Sequence, residues 1–200
     1  MKDMVRLART VERCQRNFDH TKRIPNKHVK YILNCATSMP TKQQQNFYNI
    51  TVIEEEPLAR EFYTTCAIDV NNPAGEEWRN SQTYAPLVLL YSTYPKYNRY
   101  EPYNDIAMSM GLSSGAAALA AANLGYKTGF CKCIDEHRTN AFVWDHFHKK
   151  VWDPTLAVGI GHPLEGFDRT EGVLDGEVKY HAGSDGDKEI KIFRRSNRSL

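Results

Sequence analysis

Residues 105–125 predict one long helix that has almost no side-chain bulk at its centre. Asn104 or Asp105 would cap the first turn, and Gly125 would end the helix. The central run is Gly111-Leu112-Ser113-Ser114-Gly115-Ala116-Ala117-Ala118. A helix with so little bulk lets another surface approach its backbone closely. That surface is a neighbouring helix, a partner subunit or a flat ligand, and close packing is the commonest use of such residues.

The other elements predict an α+β chain with a mixed sheet. Helical patterns cover residues 2–14, 26–37, 57–65 and 140–147, and runs typical of strands cover 47–53, 85–92, 126–134 and 155–160. The run 85–92 is continuously apolar, as expected of a buried strand. Residues 188–194 alternate in polarity and would form an edge strand. The 200 residues fit a single domain, 1–200, in which the polar segment 163–188 is a loop excursion.

Charge and hydropathy argue against two classes of partner. Charged residues make up 25% of the chain and the formal net charge is +2, so neither nucleic acid nor an anionic membrane is favoured. A basic cluster, Arg194-Arg195-Ser196-Asn197-Arg198, is typical of a solvated chain end. The most apolar stretch, 106–124, is rich in Ala, Gly and Ser and is not a convincing membrane span.

The cysteines indicate reduced thiols. There are five of them, and no signal peptide precedes them, so we expect a cytoplasmic protein without disulfides. Cys131, Cys133 and the nearby His137 lack the paired C-x-x-C spacing of common structural zinc sites, and no metal is predicted.

Two short polar segments carry the main functional signal. Two cations lie at the end of the first helix in Arg13-Cys14-Gln15-Arg16-Asn17-Phe18-Asp19. An amide-rich loop with one hydroxyl follows the second helix as Pro40-Thr41-Lys42-Gln43-Gln44-Gln45-Asn46. Cations suit a phosphate or an electron-rich ring, and amides suit the edge of a heterocycle. Together the segments indicate a phosphorylated, aromatic cofactor.

Motifs of several common enzyme folds are absent from the sequence. No G-x-G-x-x-G opens a helix after a strand, and neither G-x-x-x-x-G-K-[ST] nor G-x-S-x-G occurs. The sequence therefore carries no dinucleotide-fold, P-loop or nucleophile-elbow signature.

The motifs and their order resemble the nitroreductase-like flavoproteins, which bind FMN. Members of that family open with R-x-S-x-[RK]-x-F, which corresponds to residues 12–18, and their loop P-S-x-x-N-x-Q-P-W corresponds to residues 40–48. An Ala-Pro step into a strand at Ala85, a small-residue helix ending in Leu-Gly and a late strand ending in G-x-P at Pro163 follow in the family's order. The resemblance spans residues 5 to about 195. It implies a mixed central sheet flanked by helices, with the small-residue helix at a dimer interface.

The resemblance also implies a role for each matching residue. Arg13 would lie near the ribityl phosphate, and Arg16 beside the pyrimidine edge, where its cation would stabilise negative charge on the reduced ring. Lys132 and Cys133 would present backbone N–H groups near the flavin N5. The remaining implied cofactor contacts are Cys14, Thr41, Gln44, Asn46 and Asn80, with Arg194 or Arg195 completing a phosphate clamp.

Several positions depart from the family pattern. Glu12 stands where relatives often carry Arg, which removes a phosphate-binding cation and adds an acid. Cys14 replaces Ser and Tyr48 replaces Trp. Lys132 is a cation where many relatives have an acidic or neutral residue. These changes bear on FMN affinity and substrate choice more than on the fold.

The function implied by the resemblance is an FMN-dependent oxidoreductase. NADH or NADPH would reduce the flavin at N5, and a nitroaromatic, a quinone or a similar small molecule would take the electrons in a second step. No side-chain acid, base or nucleophile is required, and the sites would form at the interface of a homodimer. Two alternatives remain open: a flavin-binding or flavin-sequestering protein without turnover, and a degenerate scaffold that binds no flavin.

Overall fold

The computed structural model describes residues 4–68, 79–93 and 103–170, which contain five α-helices and four β-strands. The helices are α1 (Met4–Glu12), α2 (Asn26–Thr37), α3 (Glu56–Cys66), α4 (Tyr103–Asn123) and α5 (Glu136–Phe147). The strands are β1 (Tyr48–Ile53), β2 (Leu87–Thr93), β3 (Lys127–Cys131) and β4 (Trp152–Gly161). The α+β class is confirmed. The strand predicted at 188–194 and most of the excursion predicted at 163–188 lie outside the described residues, and the single domain stays a prediction.

The four strands form one sheet in the order β1-β2-β4-β3, and each pairing is antiparallel in the described part of the chain. The mixed sheet expected from the sequence is not found there. β2 and β3 do run parallel to each other, as strands joined by a crossover helix can. However, β4 lies between them and runs the opposite way, so every hydrogen-bonded neighbour is antiparallel.

Strand β2 is buried along its whole length because helices cover both faces of the sheet. Leu89 and Tyr91 pack in the core on the side of α2 and α4. Val88 and Leu90 pack in the core on the side of α3 and α5. Because successive side chains of a strand point to opposite faces, the two helical layers account for the continuous apolar run.

Helix α4 presents small residues on two sides. Ala117 and Ala121 are fully buried in the core shared with α2 and the sheet. By contrast, a Cβ added to Gly111 or Gly115 would meet no atom within 4 Å. The small residues therefore permit close packing inside the chain on one side and leave an open surface on the other.

The N-terminus of α4 differs from the prediction. The helix begins at Tyr103, so Asn104 and Asp105 lie inside its first turn rather than at the cap. An acidic residue is favoured in the first turn for the same reason as at the cap, since it opposes the positive end of the helix dipole. The Asp105 carboxylate also accepts a hydrogen bond of 2.8 Å from Lys42 Nζ, which attaches the amide loop to α4.

By length and composition alone, residues 104–123 of α4 could cross a membrane. This is weak evidence, because 56% of the apolar window is buried inside the protein, as in the core helix of a globular fold.

Two strand glycines allow a loop to lie directly on the sheet. A Cβ at Gly159 would come within 2.0 Å of the Gln82 carbonyl oxygen, and one at Gly129 within 2.3 Å of the Gln15 carbonyl oxygen. Gly129 and Gly159 are paired across β3 and β4. This pair therefore forms a flat site on which the backbone near Gln15 and the turn at Ser81–Thr83 are seated.

We expect Gly159→Ala to lower the free energy of unfolding by about 3 kcal/mol, toward the upper end of overpacking costs, because the clash is with backbone rather than with a flexible side chain. Urea denaturation followed by circular dichroism measures this. An unfolding midpoint equal to that of the wild-type chain would contradict the close approach of Gln82.

Candidate cofactor site

The segment that contains Arg13 and Arg16 runs along the sheet edge formed by β3. After α1 ends at Glu12, the Gln15 N–H donates to the Thr128 carbonyl at 2.8 Å. Phe18 then forms a bridge with Pro163, just beyond β4. Arg13 is half-buried and Arg16 is exposed. The sheet therefore fixes the backbone between the two cations.

Cys14 joins this segment to the candidate ring-binding residues. Its Sγ accepts a hydrogen bond of 2.9 Å from the Phe130 N–H and lies 3.3 Å from the Phe130 carbonyl oxygen. The Gln82 side-chain amide donates to the same sulfur at 3.9 Å. We call Cys14, Gln82 and Phe130 the Cys14 cluster. The Cys14 thiol therefore contacts the β3 backbone and the Gln82 amide. Its contact with a cofactor stays a prediction.

Three predicted site residues lie within two residues of members of the Cys14 cluster in the sequence. Arg13 directly precedes Cys14, and Lys132 follows Phe130 by two residues. Asn80 precedes Gln82 by two residues, and its carbonyl accepts hydrogen bonds from the N–H and the hydroxyl of Thr83 at 3.1 and 2.8 Å. The Cys14 cluster thus joins three distant parts of the sequence, and a predicted site residue lies within two residues of each of its members.

The turn after β3 is fixed through its carbonyl groups. The Lys132 carbonyl accepts from the Ile134 N–H and the Cys133 carbonyl from the Ile68 N–H, both at 2.9 Å. Since a trans peptide aims its N–H opposite to its C=O, the Cys133 N–H points away from Ile134. Burial raises the pKa of the neighbouring Cys131 thiol to about 12, so this cysteine stays neutral and is a poor nucleophile.

The amide loop forms a separate polar cleft. A 3₁₀ turn at Lys42–Gln44 closes through the Gln44 N–H, which donates to the Thr41 carbonyl at 3.1 Å. The cleft has a volume of about 440 Å³, and Thr41, Gln44, Asn46 and Tyr48 are among the residues that line it. Gln44 and Asn46 are exposed, so their amides are accessible to a ligand or to another chain.

Within one chain, the two polar segments lie at opposite edges of the sheet. The amide loop leads into β1, and the Arg13–Arg16 segment runs alongside β3 in space. Three strand spacings separate those edges, which amounts to about 14 Å. The order of the strands therefore separates the Arg13–Arg16 segment from the amide loop within one chain. Arg194 and Arg195 lie outside the described residues.

Sequence reasoning missed a buried glutamine that holds residues 163–170 against the candidate site. Gln15 is fully buried, and its Nε2 donates to the Phe167 carbonyl at 2.8 Å. Its Oε1 accepts from the Arg169 N–H at 3.2 Å, and Arg169 Nη1 donates to the Cys14 carbonyl at 3.0 Å. We call residues 163–170 the strap.

The end of the strap is anchored by an ion pair. Lys127 Nζ lies 3.2 Å from Asp168 Oδ2, and the Asp168 carboxylate also accepts from the N–H and the hydroxyl of Thr170 at 2.8 and 2.7 Å. Burial alone would raise the pKa of Asp168, but these hydrogen bonds and the Lys127 charge outweigh it and lower the pKa. The Asp-x-Thr spacing is typical of an Asx turn, and it was the sequence signal from which this turn in the strap could have been predicted.

The cysteines and histidines do not form a metal centre in the part of the chain that is described. No group of three or more His, Cys, Asp or Glu side chains there could hold a metal ion. All five cysteines are free.

Residues 11–162 match the model of the nitroreductase family. The chain belongs to the nitroreductase family. The match includes the Arg13–Arg16 segment, the amide loop, α4 and the turn after β3. It ends before the last eight described residues, so the whole strap lies outside the matched range.

Solved structures of this family share the fold. A nitroreductase from Bacteroides fragilis with bound FMN has a TM-score of 0.66 and 17% identity, and the alignment covers 97% of this chain and 100% of that one. A nitroreductase family protein from Clostridium novyi has a TM-score of 0.64 and 14% identity, with 82% and 86% covered. The FMN-dependent nitroreductase NfnB from Mycobacterium smegmatis, in complex with NADPH, has a TM-score of 0.61 and 14% identity, with 82% and 89% covered. None of the curated proteins compared matches this chain.

We expect Gln15→Leu to lower the free energy of unfolding by about 2 kcal/mol, because two part-buried hydrogen bonds from the buried Gln15 amide to the strap are lost, each worth about 1 kcal/mol. The strap should also become sensitive to limited proteolysis. Denaturant unfolding and mass spectrometry of the digest measure the two effects.

Gln45→Leu is the matched control. Gln45 is half-buried, and its side chain donates to Gln43 Oε1 at 3.1 Å in an exposed pair. Its loss should cost no more than about 0.5 kcal/mol. Equal effects of the two substitutions would contradict the anchoring role of Gln15.

Proposed function

We propose that this chain is an FMN-dependent NAD(P)H oxidoreductase that acts as a homodimer and reduces nitroaromatics, quinones or similar small acceptors. One observation carries the proposal: the family match covers residues 11–162, and within that range the Cys14 cluster joins the three segments that contain Arg13, Asn80 and Lys132. Relatives of the same fold have FMN or NADPH bound. A cytoplasmic location is part of the same proposal and agrees with the free thiols.

The residues present fit FMN in their chemistry. Guanidinium groups suit its phosphate, and backbone N–H groups suit the acceptor atoms of its ring. Gln82 Oε1 is buried and has no hydrogen-bond partner in the described parts of the chain, so an acceptor remains beside the candidate ring site. Arg13, Arg16, Asn80 and the backbone of Lys132 and Cys133 would hold the cofactor.

In this proposal the protein binds the cofactor and polarises its ring, and the cofactor supplies the redox chemistry. Bound FMN would supply the hydride and electron transfer between NADH or NADPH and the acceptor. Arg16 would place a positive charge beside the pyrimidine edge and so favour the reduced, more negative state. Lys132 and Cys133 would orient the ring through their N–H groups. No side chain is assigned a proton transfer or a covalent bond.

A second copy of the chain is the proposed occupant of the open face of α4. There, α1, α2 and α4 line an apolar groove of about 650 Å³ that includes Gly111 and Gly115. Met4, Tyr31 and Leu112 on this groove are 61%, 43% and 43% exposed. Such an apolar face is typical of an interface. A second copy would also supply an amide loop to the Arg13–Arg16 segment, which lies at the opposite edge of the sheet from the chain's own loop.

The alternative of flavin binding without turnover is favoured by one residue. Glu12 is exposed and directly precedes Arg13, where it adds a negative charge near the proposed phosphate position. Tight FMN binding without reduction by NADH or NADPH would support this alternative over the oxidoreductase.

We expect the purified protein to bind FMN, turn yellow and oxidise NADH or NADPH in the presence of a quinone or nitroaromatic. Arg16→Gln should slow flavin reduction by about 10- to 100-fold, because it removes one preorganised charge. Stopped-flow absorbance of the flavin measures the rate. Arg138→Gln, an exposed cation on α5, is the control and should leave the rate unchanged. A wild-type protein that stays colourless after incubation with FMN would overturn the proposal.

We expect Leu112→Glu to dissociate the dimer, since it places a charge in the apolar groove, and to weaken FMN binding as a result. Analytical ultracentrifugation and fluorescence titration with FMN measure the two effects. Trp144→Glu is the matched control, because Trp144 is 50% exposed on α5 and does not line the groove. A wild-type chain that is monomeric and binds FMN fully would contradict the shared site.

A further inference from the structure

The amide loop has an unfavourable backbone conformation. Gln43 has φ 54° and Gln44 has φ 57°, which lie in the left-handed region that residues other than glycine rarely adopt. Two such residues in succession persist only where their surroundings hold the backbone in place, and conformations of this kind cluster at functional sites. Both side chains are exposed, so burial in the core does not account for the conformation.

Hydrogen bonds within the loop close its turn. The Gln44 N–H donates to the Thr41 carbonyl at 3.1 Å. The Gln45 N–H donates to the Lys42 carbonyl at 3.1 Å, and the Gln45 side-chain amide donates to Gln43 Oε1 at 3.1 Å. These three bonds set the shape of the turn, but they do not attach it to the rest of the chain.

An ion pair attaches the turn to helix α4. Lys42 Nζ lies 2.8 Å from Asp105 Oδ2, and the two residues are 63 positions apart in the sequence. The Asp105 side chain is 19% exposed and the Lys42 side chain is 58% exposed. Salt screens a partly buried pair less than a pair of fully solvated charges. The pair is therefore able to fix the position of the loop relative to α4.

Asp105 lies on the same side of α4 as the apolar groove. Residues 105, 108 and 112 are spaced by three and four, which places them on one face of a helix. Met108 and Leu112 are 57% and 43% exposed, and Leu112 lines the groove proposed as the site of a second copy. The helix that would meet the second copy thus also anchors the amide loop.

We propose that Lys42 and Asp105 are positioning residues, which hold the amide loop in place for the flavin site of a second copy of the chain. The inference rests on the proposed function, because the loop would act beside the Arg13–Arg16 segment of that copy. The ion pair fixes the loop relative to α4, and the groove fixes α4 relative to the second copy. The amides are thereby oriented before a ligand binds, which lowers the entropy cost of binding.

The competing explanation is that the pair only stabilises the first turn of α4. An acid at this position opposes the positive end of the helix dipole, which is favourable without any ligand. The two roles differ when the charges are exchanged. A reversed pair still links the loop to α4 but places a cation at the positive end of the helix, so it restores a positioning role and does not restore a dipole role.

The test is a fluorescence titration of the full-length protein with FMN and with riboflavin, which share the ring and differ in the phosphate. The variants are Lys42→Gln, Asp105→Asn and the reversed pair, Lys42→Asp combined with Asp105→Lys. We expect each single variant to weaken the binding of both flavins by about 2- to 5-fold, the range for a partly exposed ion pair, because amides suit the shared ring. The reversed pair should recover flavin affinity, while its unfolding midpoint should stay below that of the wild type.

Arg60→Gln is the matched control. It removes the cation of another exposed ion pair, in which Arg60 Nη2 lies 2.6 Å from Glu56 Oε1 and the Arg60 side chain is 66% exposed. This pair lies on α3, which packs on the opposite face of the sheet from α4. The control should change neither flavin affinity. Analytical ultracentrifugation should show that the control and both single variants remain dimeric.

The possible outcomes separate this inference from the function on which it rests. Unchanged flavin affinity in Lys42→Gln and Asp105→Asn, or a reversed pair that binds as weakly as they do, would overturn the positioning role and leave the flavin site in place. Dissociation of the dimer in the single variants would also overturn it, because the pair would then act on assembly. Absence of flavin binding to the wild-type protein would overturn the proposed function and the inference with it. If Asp105→Asn fails to fold, Lys42→Gln decides, since the Lys42 side chain is exposed.

Discussion

The backbone hydrogen bond from Gln15 to Thr128 positions the candidate site. It places the Arg13–Arg16 segment along β3, so that Cys14 meets Phe130 and Gln82. This approach requires glycine at 129, where a Cβ would lie within 2.3 Å of the Gln15 carbonyl oxygen. The Gln15 side chain forms hydrogen bonds with the backbone of Phe167 and Arg169 and so holds the strap. A single residue therefore connects the first helix, the sheet edge and the segment after the last strand.

The order of the sheet explains why the site is divided. Because β4 lies between β2 and β3, β1 and β3 become the two edges of the described sheet. The amide loop leads into β1 and the Arg13–Arg16 segment runs along β3, so the two segments lie at opposite edges of the sheet, about three strand spacings apart. The apolar groove on α4 could instead bind a second copy of the chain, which would bring the two kinds of segment together without changing the sheet. Under the proposed dimer, each ligand would contact an edge from each chain.

Local patterns in the sequence were sufficient for the elements but not for their arrangement. The apolar periodicity of α2 gave its bounds, Asn26–Thr37, and the continuous apolar run identified β2 as a strand buried on both faces. The antiparallel pairing of β4 depends on contacts between segments far apart in sequence, and no local pattern encodes it. The cations and amides are residue types that bind ligands, which the sequence shows. The separation of the Arg13–Arg16 segment from the amide loop across the sheet could not be predicted from it. The burial of Gln15 was equally hidden, because a polar residue between two arginines is expected at the surface.

The same limit applies to electrostatics. Glu12, taken alone, implies a phosphate site weakened by one lost cation and one added acid. The structure shows a charge that this local pattern does not include, because Arg169 Nη1 donates to the Cys14 carbonyl while Lys127 pairs with Asp168. Coulomb energy depends on distance in space rather than on order in sequence, so a remote arginine acts as effectively as a neighbouring one. The charge near the Arg13–Arg16 segment therefore depends on the strap as well as on the local motif.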